Sequence, residues 1–158
     1  MNSSLADRLS QAKISELIGS VIEEGDVYRM RLDGREGVVG KDGADSRNKY
    51  FVFVGNDSEG NAFGFFLIDT NINQSLPEAR KQKHYKLLSC NYDFLEGTDR
   101  YVDCSDFKVI QKERFSALFS AKKSIAKINK KDIAIIKSEA ISYRNANRKL
   151  LRRFGLIL

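Results

Sequence analysis

The spacing of apolar residues predicts one helix at the start of the chain and strands after it. Apolar residues recur at helical intervals over residues 5–18, behind Ser4 and Asp7, which resemble a helix capping box. Residues 27–32 alternate apolar and polar side chains, which is the pattern of a half-buried strand. Residues 33–47 hold four glycines and no core pattern, so we expect a long mobile loop there.

Two short apolar runs, residues 50–54 and 63–68, predict neighbouring strands joined by a polar turn at residues 56–60. Strands this apolar must be buried on both faces or close into a barrel. Their aromatic residues therefore favour a core, and a platform on which bases stack is the alternative. The aromatic residues concerned are Tyr50, Phe51, Phe53, Phe63, Phe65 and Phe66.

The second half of the chain returns to helical spacing. Residues 76–86 are polar and basic and predict a loop or a short helix, and residues 101–104 predict one more strand. From about residue 112 apolar residues suit one helix to residue 126 and a second from the N-cap Asn129 to about residue 150. The order predicts a single α+β domain with an N-terminal helix (1–22), a β core (25–111) and a basic helical part (112–158).

The charge is distributed unevenly between the two parts of the chain. The net charge is +6, but residues 112–158 hold 13 Lys/Arg against 3 Asp/Glu, whereas residues 1–111 hold 14 against 18. A basic tail on an acidic body indicates nucleic acid, an acidic protein partner or a solvated helix face. No apolar run approaches the roughly 20 residues that cross a membrane, and the first residues lack the apolar segment of a signal peptide. We expect a cytoplasmic protein without a membrane role.

Metal and nucleotide chemistry find little support. Cys90 and Cys104 lie in no CxxC motif and His84 is the single histidine, so we expect no metal and no cofactor. A Cys104 nucleophile served by His84 is disfavoured against two reduced thiols. Gly40-Lys41 fails the phosphate-loop pattern at two positions. Four irregularly spaced aspartates fit turns and caps better than a metal site: Asp93, Asp99, Asp103 and Asp106.

The predicted hairpin places candidate chemistry at one edge. If the strands pair antiparallel, Arg47 and Lys49 at its entrance lie beside Thr70 at its exit. Two cations next to a hydroxyl suit a phosphodiester, because each can stabilise charge on the phosphate oxygens. The basic stretch also offers His84, and the last helix carries a dense cationic patch. We expect RNA contacts from His84, Arg148, Lys149, Arg152 and Arg153.

Five segments in a fixed order carry a family resemblance over roughly residues 25–140. They are GDVY (25–28), KYFVFV after the glycine-rich loop (49–54), LIDT (67–70), the stretch 87–115 with its YVDC, and INKKDI (128–133). Together they resemble the MazF/PemK-like toxins of toxin–antitoxin systems. The family's Arg-Pro position falls on Lys49-Tyr50, with Arg47 two residues earlier on the same strand face, and its threonine matches Thr70.

That resemblance implies a small SH3-like β-barrel, often a homodimer, that cleaves single-stranded RNA without a metal. The RNA 2′-OH attacks the adjacent phosphate and a cyclic phosphate forms, assisted by Arg47 and Thr70, with Lys49 third. A cognate antitoxin would lie across the groove. The alternative from another class is a non-catalytic module that binds RNA or an acidic protein through the same groove and the basic helices.

Overall fold

The computed structural model describes residues 4, 5, 7, 13, 22–40, 44–119 and 124–158. Within them the chain is an α+β structure built on one curled antiparallel sheet that forms half a barrel. The strands are β1 (Asp26–Asp33), β2 (Ser46–Asn56), β3 (Ala62–Asp69), β4 (His84–Leu87), β5 (Arg100–Asp103), β6 (Lys108–Gln111) and β7 (Ala126–Lys127). The helices are α1 (Glu78–Lys81), α2 (Lys112–Phe119), α3 (Lys130–Ser142) and α4 (Arg148–Arg153).

The sheet runs β4-β5-β3-β2-β1-β7, and β6 joins it on β3. The predicted hairpin is confirmed, because β2 and β3 pair antiparallel with Tyr50 opposite Ile68. Strand β3 pairs with β6 along its first half and with β5 at its end, where Ile68 lies opposite Val102. The first residues of β2 and β5 therefore lie next to the last residues of β3, at one end of the sheet.

Each face of the sheet carries its own apolar cluster. On one face Tyr28, Met30 and Leu32 of β1 pack with phenylalanines of β2 and β3 and with Phe115 of α2. On the other face Val27, Val52, Phe66 and Ile68 pack against Ile133 and Ile136 of α3. The core interpretation of the aromatic runs is confirmed for five residues that are at most 4 % exposed: Phe51, Phe53, Phe63, Phe65 and Phe66. Tyr50 alone of the six is half-buried.

The helices differ from the predicted spacing in two places. The apolar spacing places Ala126 in the first C-terminal helix, but this prediction is wrong, because Ala126 pairs with Val27 as part of β7. The predicted N-cap Asn129 is confirmed, since its side chain accepts a hydrogen bond from the Asp132 amide, 2.8 Å away. Helix α3 ends at Ser142, and a separate short helix, α4, begins after its own N-cap Asn147. Apolar spacing continues across the break, which is why it predicted one helix.

The first part of the chain is described only at isolated positions. Ser4 and Asp7 exchange the contacts of a capping box, with the Asp7 amide 3.1 Å from Ser4 Oγ, but most of the predicted helix over residues 5–18 lies outside the described residues. The described part of the glycine-rich segment includes a short 3₁₀ turn, Gly34–Glu36, closed by an Asp33/Glu36 capping box. Across the residues described, no helix has the length and apolar character needed to cross a membrane.

Candidate functional site: a basic groove at the strand ends

A groove of about 600 Å³ opens where the end of β3 meets the beginnings of β2 and β5. The lining includes the segment after the 3₁₀ turn, Arg80 of α1 and the β5–β6 connection, and Lys108 Nζ donates to the Gly37 carbonyl oxygen over 3.1 Å. Its described charged residues are six cations against three carboxylates. The cations are Arg29, Arg47, Lys49, Arg80, Arg100 and Lys108, and the carboxylates are Asp69, Asp103 and Asp106.

All three residues predicted for phosphate chemistry line this groove. Arg47 lies in β2 with an exposed side chain. Lys49 lies two residues further on and forms an ion pair with Asp69, so its charge is already balanced. Thr70 lies directly after β3 and is exposed. The three predicted residues therefore lie in one groove, but the neighbouring Asp69 carboxylate neutralises the charge of Lys49.

Thr70 has a partner that the sequence did not suggest. The Arg100 guanidinium donates through Nη1 to Thr70 Oγ1 over 3.1 Å. Because the hydroxyl oxygen accepts this hydrogen bond, its own proton is left to donate to another group. Arg100 and Thr70 therefore present two donors side by side. Two neighbouring donors can each donate a hydrogen bond to one oxygen of a phosphate group.

Tyr50 holds two guanidinium groups close together. Arg29 lies opposite Tyr50 in the β1–β2 register, and its Cζ is 5.4 Å from the ring centroid. Arg100 approaches the same ring, with its Cζ at 4.9 Å. Cation–π attraction stabilises each guanidinium against the ring, and it offsets part of their mutual repulsion. We call Arg29, Tyr50, Thr70 and Arg100 the arginine clamp.

The six cations divide into balanced and unbalanced sets. Lys49 pairs with Asp69, and Lys108 Nζ lies 3.0 Å from Asp106. Arg80 reaches both Asp103, at 3.3 Å, and Asp106. Within the described ranges the remaining cations have no carboxylate partner. Those unbalanced cations are Arg29, Arg47 and Arg100.

The Arg100 side chain also carries an unsatisfied donor. Its Nε is buried and finds no hydrogen-bond acceptor among the described residues. Leaving a buried donor unpaired costs about 1–3 kcal/mol. Arg114 Nε is unpaired in the same way, but the Arg114 guanidinium contacts Asp33 and Glu36, whereas no carboxylate among the described residues pairs with Arg100.

His84 lies in the groove wall rather than on its surface. Its side chain is 2 % exposed, Nδ1 donates to the Arg80 carbonyl oxygen 2.9 Å away, and Nε2 lies 3.6 Å from Asp103 Oδ1. These contacts connect α1 with the end of β5. His84 therefore holds Arg80 and Asp103 in place, and its contact with RNA stays a prediction.

The cationic patch of the last helix lies outside the groove lining. Arg153 forms a two-pronged ion pair with Asp57 in the β2–β3 turn, with Nη2 2.6 Å from Oδ2. Its hydrogen bonds lower the pKa of the Asp57 carboxyl to about 2. Arg152 donates to the Leu158 carbonyl oxygen. Arg148 and Lys149 are exposed, and RNA contact by the patch stays a prediction.

Other candidate chemistry has no geometry to support it. Cys104 is 2 % exposed, and burial raises the pKa of its thiol well above the usual range, which is opposite to what a nucleophile needs. No three His, Cys, Asp or Glu side chains gather closely enough for a metal ion in the part of the chain that the structure describes. Asp99 accepts from the Ser89 amide over 2.8 Å, as a turn-stabilising aspartate does.

Arg29 and Arg100 are the site residues that sequence reasoning missed. Each looked like an ordinary polar position, one inside an alternating strand and the other just before the predicted strand 101–104. A signal was present, because Arg100 begins a strand and Thr70 follows the end of another, so an antiparallel pair would bring them together. Applying it required knowing that β5 pairs with β3.

Comparisons with protein-family models, with curated proteins and with solved structures each found no match.

Proposed function

We propose that this chain binds single-stranded RNA in the basic groove and cleaves it without a metal ion, as a divergent MazF/PemK-like toxin with an SH3-like barrel. The observation that carries the proposal is the arginine clamp: two guanidinium groups without carboxylate partners converge on Tyr50, and one of them holds the Thr70 hydroxyl. Three unbalanced arginines along one groove suit the regularly spaced charges of a nucleic-acid strand.

In this proposal Arg100 and Thr70 contact the scissile phosphate. The RNA 2′-OH attacks phosphorus and loses its proton to solvent water, while the bond to the 5′ oxygen breaks and that oxygen takes a proton from water. The products are a 2′,3′-cyclic phosphate and a 5′-OH end. Donors from Arg100 and Thr70 would stabilise the charge that grows on the non-bridging oxygens during attack. Arg29 and Arg47 would hold neighbouring phosphates and so fix the strand in place.

The family assignment carries further proposals about partners. A MazF/PemK-like protein acts in the cytoplasm, pairs with a second copy of itself and is neutralised by a cognate antitoxin. An acidic antitoxin segment would compete with RNA for the same unbalanced arginines. The curled antiparallel half-barrel supports the SH3-like part of this proposal at the level of architecture.

A non-catalytic RNA-binding module is the second candidate, and one observation favours it. Each described carboxylate of the groove is engaged by a cation, and His84 is 2 % exposed. Among the described residues, the groove therefore offers neither a carboxylate without a cation partner nor an exposed imidazole to accept the 2′-OH proton. RNA would then be held at the same arginines and released intact.

Incubation of the purified protein with a long single-stranded RNA and EDTA separates the two candidates. Discrete cuts with 5′-OH ends support the endoribonuclease, and RNA that is bound but intact supports the module. Thr70→Ala should lower cleavage by about 10²–10³-fold while leaving the fold intact, because Thr70 is exposed at a strand end. Thr70→Ser is the matched control, since it keeps the hydroxyl. Cleavage by Thr70→Ala at the wild-type rate would remove this residue from the mechanism.

A further inference from the structure

The groove lining includes a second polar feature, the ion pair of Lys49 and Asp69, which lies on the sheet face opposite to Tyr50 of the arginine clamp. Tyr50 lies opposite Ile68, so the next pair of positions places Lys49 of β2 beside Asp69 of β3 on one sheet face. The side chains are 13 % and 24 % exposed. They are accessible from the groove but sheltered enough that water competes weakly for their hydrogen bonds.

The atoms of this pair form an ordered row. Lys49 Nζ donates to Asp69 Oδ1, and Asp69 Oδ2 has no hydrogen-bond partner among the described residues. Oδ1 keeps a second acceptor position, because each carboxylate oxygen has two lone pairs. The row therefore presents one donor followed by two acceptors.

Only one RNA base has the complementary edge. The Watson–Crick edge of guanine presents an acceptor (O6) followed by two donors (N1–H and the N2 amino group). These three groups lie on consecutive ring positions. Adenine and cytosine each begin with an amino donor beside acceptors, and uracil has a single donor between two acceptors. Carboxylates accept from base amino groups and lysine donates to guanine O6 in known base contacts.

We propose that Lys49 and Asp69 read a guanine base of the RNA, with O6 on Lys49 and the N1 and N2 donors on Asp69. This inference rests on the proposed function, because the arginine clamp must first hold the strand. Two apolar side chains line the same groove: Leu67 lies two residues before Asp69 on the same strand, and Val39 is 85 % exposed. Single-stranded RNA is recognised by this combination of edge contacts and packing.

The first test needs no variant. Fluorescence anisotropy would compare oligouridines that differ at one central position, with 2′-O-methyl sugars to block cleavage and EDTA present. We expect guanosine to tighten binding by about 5- to 150-fold over uridine, adenosine or cytidine. Inosine, which lacks the N2 amino group, should fall between. Equal affinities for all bases would overturn the guanine inference but leave RNA binding standing, whereas no RNA binding at all would overturn both.

A change of base preference gives the second test. In Asp69→Asn one acceptor becomes an amide donor, so the variant should lose its preference for guanosine and prefer xanthosine, which has a carbonyl in place of the N2 amino group. Asp106→Asn is the matched control, because it removes the same charge from the same groove. It should raise affinity for every oligonucleotide alike. The same base preference in both variants would contradict a direct contact by Asp69.

Discussion

The groove and the C-terminal helical part are both basic, but their cations are arranged differently. Several C-terminal cations pair with carboxylates from earlier in the chain, at distances of 3.3 Å or less. These pairs are Arg114 with Asp33 and Glu36, Lys127 with Glu23, Lys137 with Glu24, and Arg153 with Asp57. In the groove Arg29, Arg47 and Arg100 have no such partner within the described residues.

This difference teaches that the number of cations does not locate an anion site. Some of the excess cations of residues 112–158 form ion pairs with carboxylates of residues 1–111, and these ion pairs hold the C-terminal part against the rest of the chain. A cation beside a carboxylate has little field left for a ligand, whereas an unbalanced one attracts anions strongly. Convergence is what separates the two regions, because Arg29 and Arg100 of the groove approach the same Tyr50 ring.

The largest expected effect comes from removing the clamp residue that touches Thr70. Arg100→Ala should lower RNA cleavage by about 10²–10³-fold, because it removes both a donor to the phosphate and the partner of Thr70. Single-turnover cleavage rates measure this. Arg100→Lys should recover only part of the rate, since lysine lacks the guanidinium fork. Full activity in Arg100→Ala would show that the scissile phosphate does not bind at the arginine clamp.

The next effect concerns affinity, and β1 supplies its own control. Arg29→Ala should weaken RNA binding about tenfold and reduce the slope of log affinity against log salt by about 0.7, as loss of one phosphate contact does. Arg31 lies two residues along the same strand, is exposed, and donates to Ser46 Oγ outside the groove lining. Arg31→Ala should leave the slope unchanged. Equal losses in the two variants would indicate diffuse attraction rather than a clamp.

The Arg153–Asp57 pair should affect stability against acid rather than RNA binding. The Asp57 pKa is about 2 in the folded chain, below its ordinary value, because Arg153 donates to it. Its stabilisation is therefore present above about pH 4 and is lost as the pH falls toward 2. Urea unfolding should show wild type more stable than Asp57→Asn at pH 6, with the gap closing between pH 4 and 2. A gap that persists at pH 2 would assign the stability to something other than the ionised pair.

The smallest effect is expected from the exposed cations of α4. The sequence predicts RNA contact by Arg148 and Lys149, whereas the groove proposal predicts that Arg148→Ala combined with Lys149→Ala changes RNA affinity by less than about twofold, because these side chains lie outside the groove lining. The binding assay used for Arg29→Ala measures this too. A loss larger than that of Arg29→Ala would reverse the comparison and make the C-terminal helices the RNA surface.

Sequence reasoning worked where the information was local. The β2–β3 hairpin follows from two apolar runs and a polar turn, and the Asn129 N-cap follows from one side chain that satisfies a free amide. The same reasoning placed Ala126 in a helix, since apolar spacing alone does not reveal that its backbone pairs with Val27. It also placed Arg47, Lys49 and Thr70 at one edge, because antiparallel pairing of adjacent strands leaves little choice.

The sequence by itself determined which segments are buried, which residues cap the helix α3, and that cations and a hydroxyl meet at the hairpin edge. Only the tertiary structure decided which of those cations remain unbalanced. Lys49 meets Asp69 across two strands, Arg153 meets Asp57 from the far end of the chain, and Arg100 meets Tyr50 and Thr70 through β5. Charge neutralisation depends on distances of a few ångströms between residues far apart in sequence, so it is decided when the chain folds.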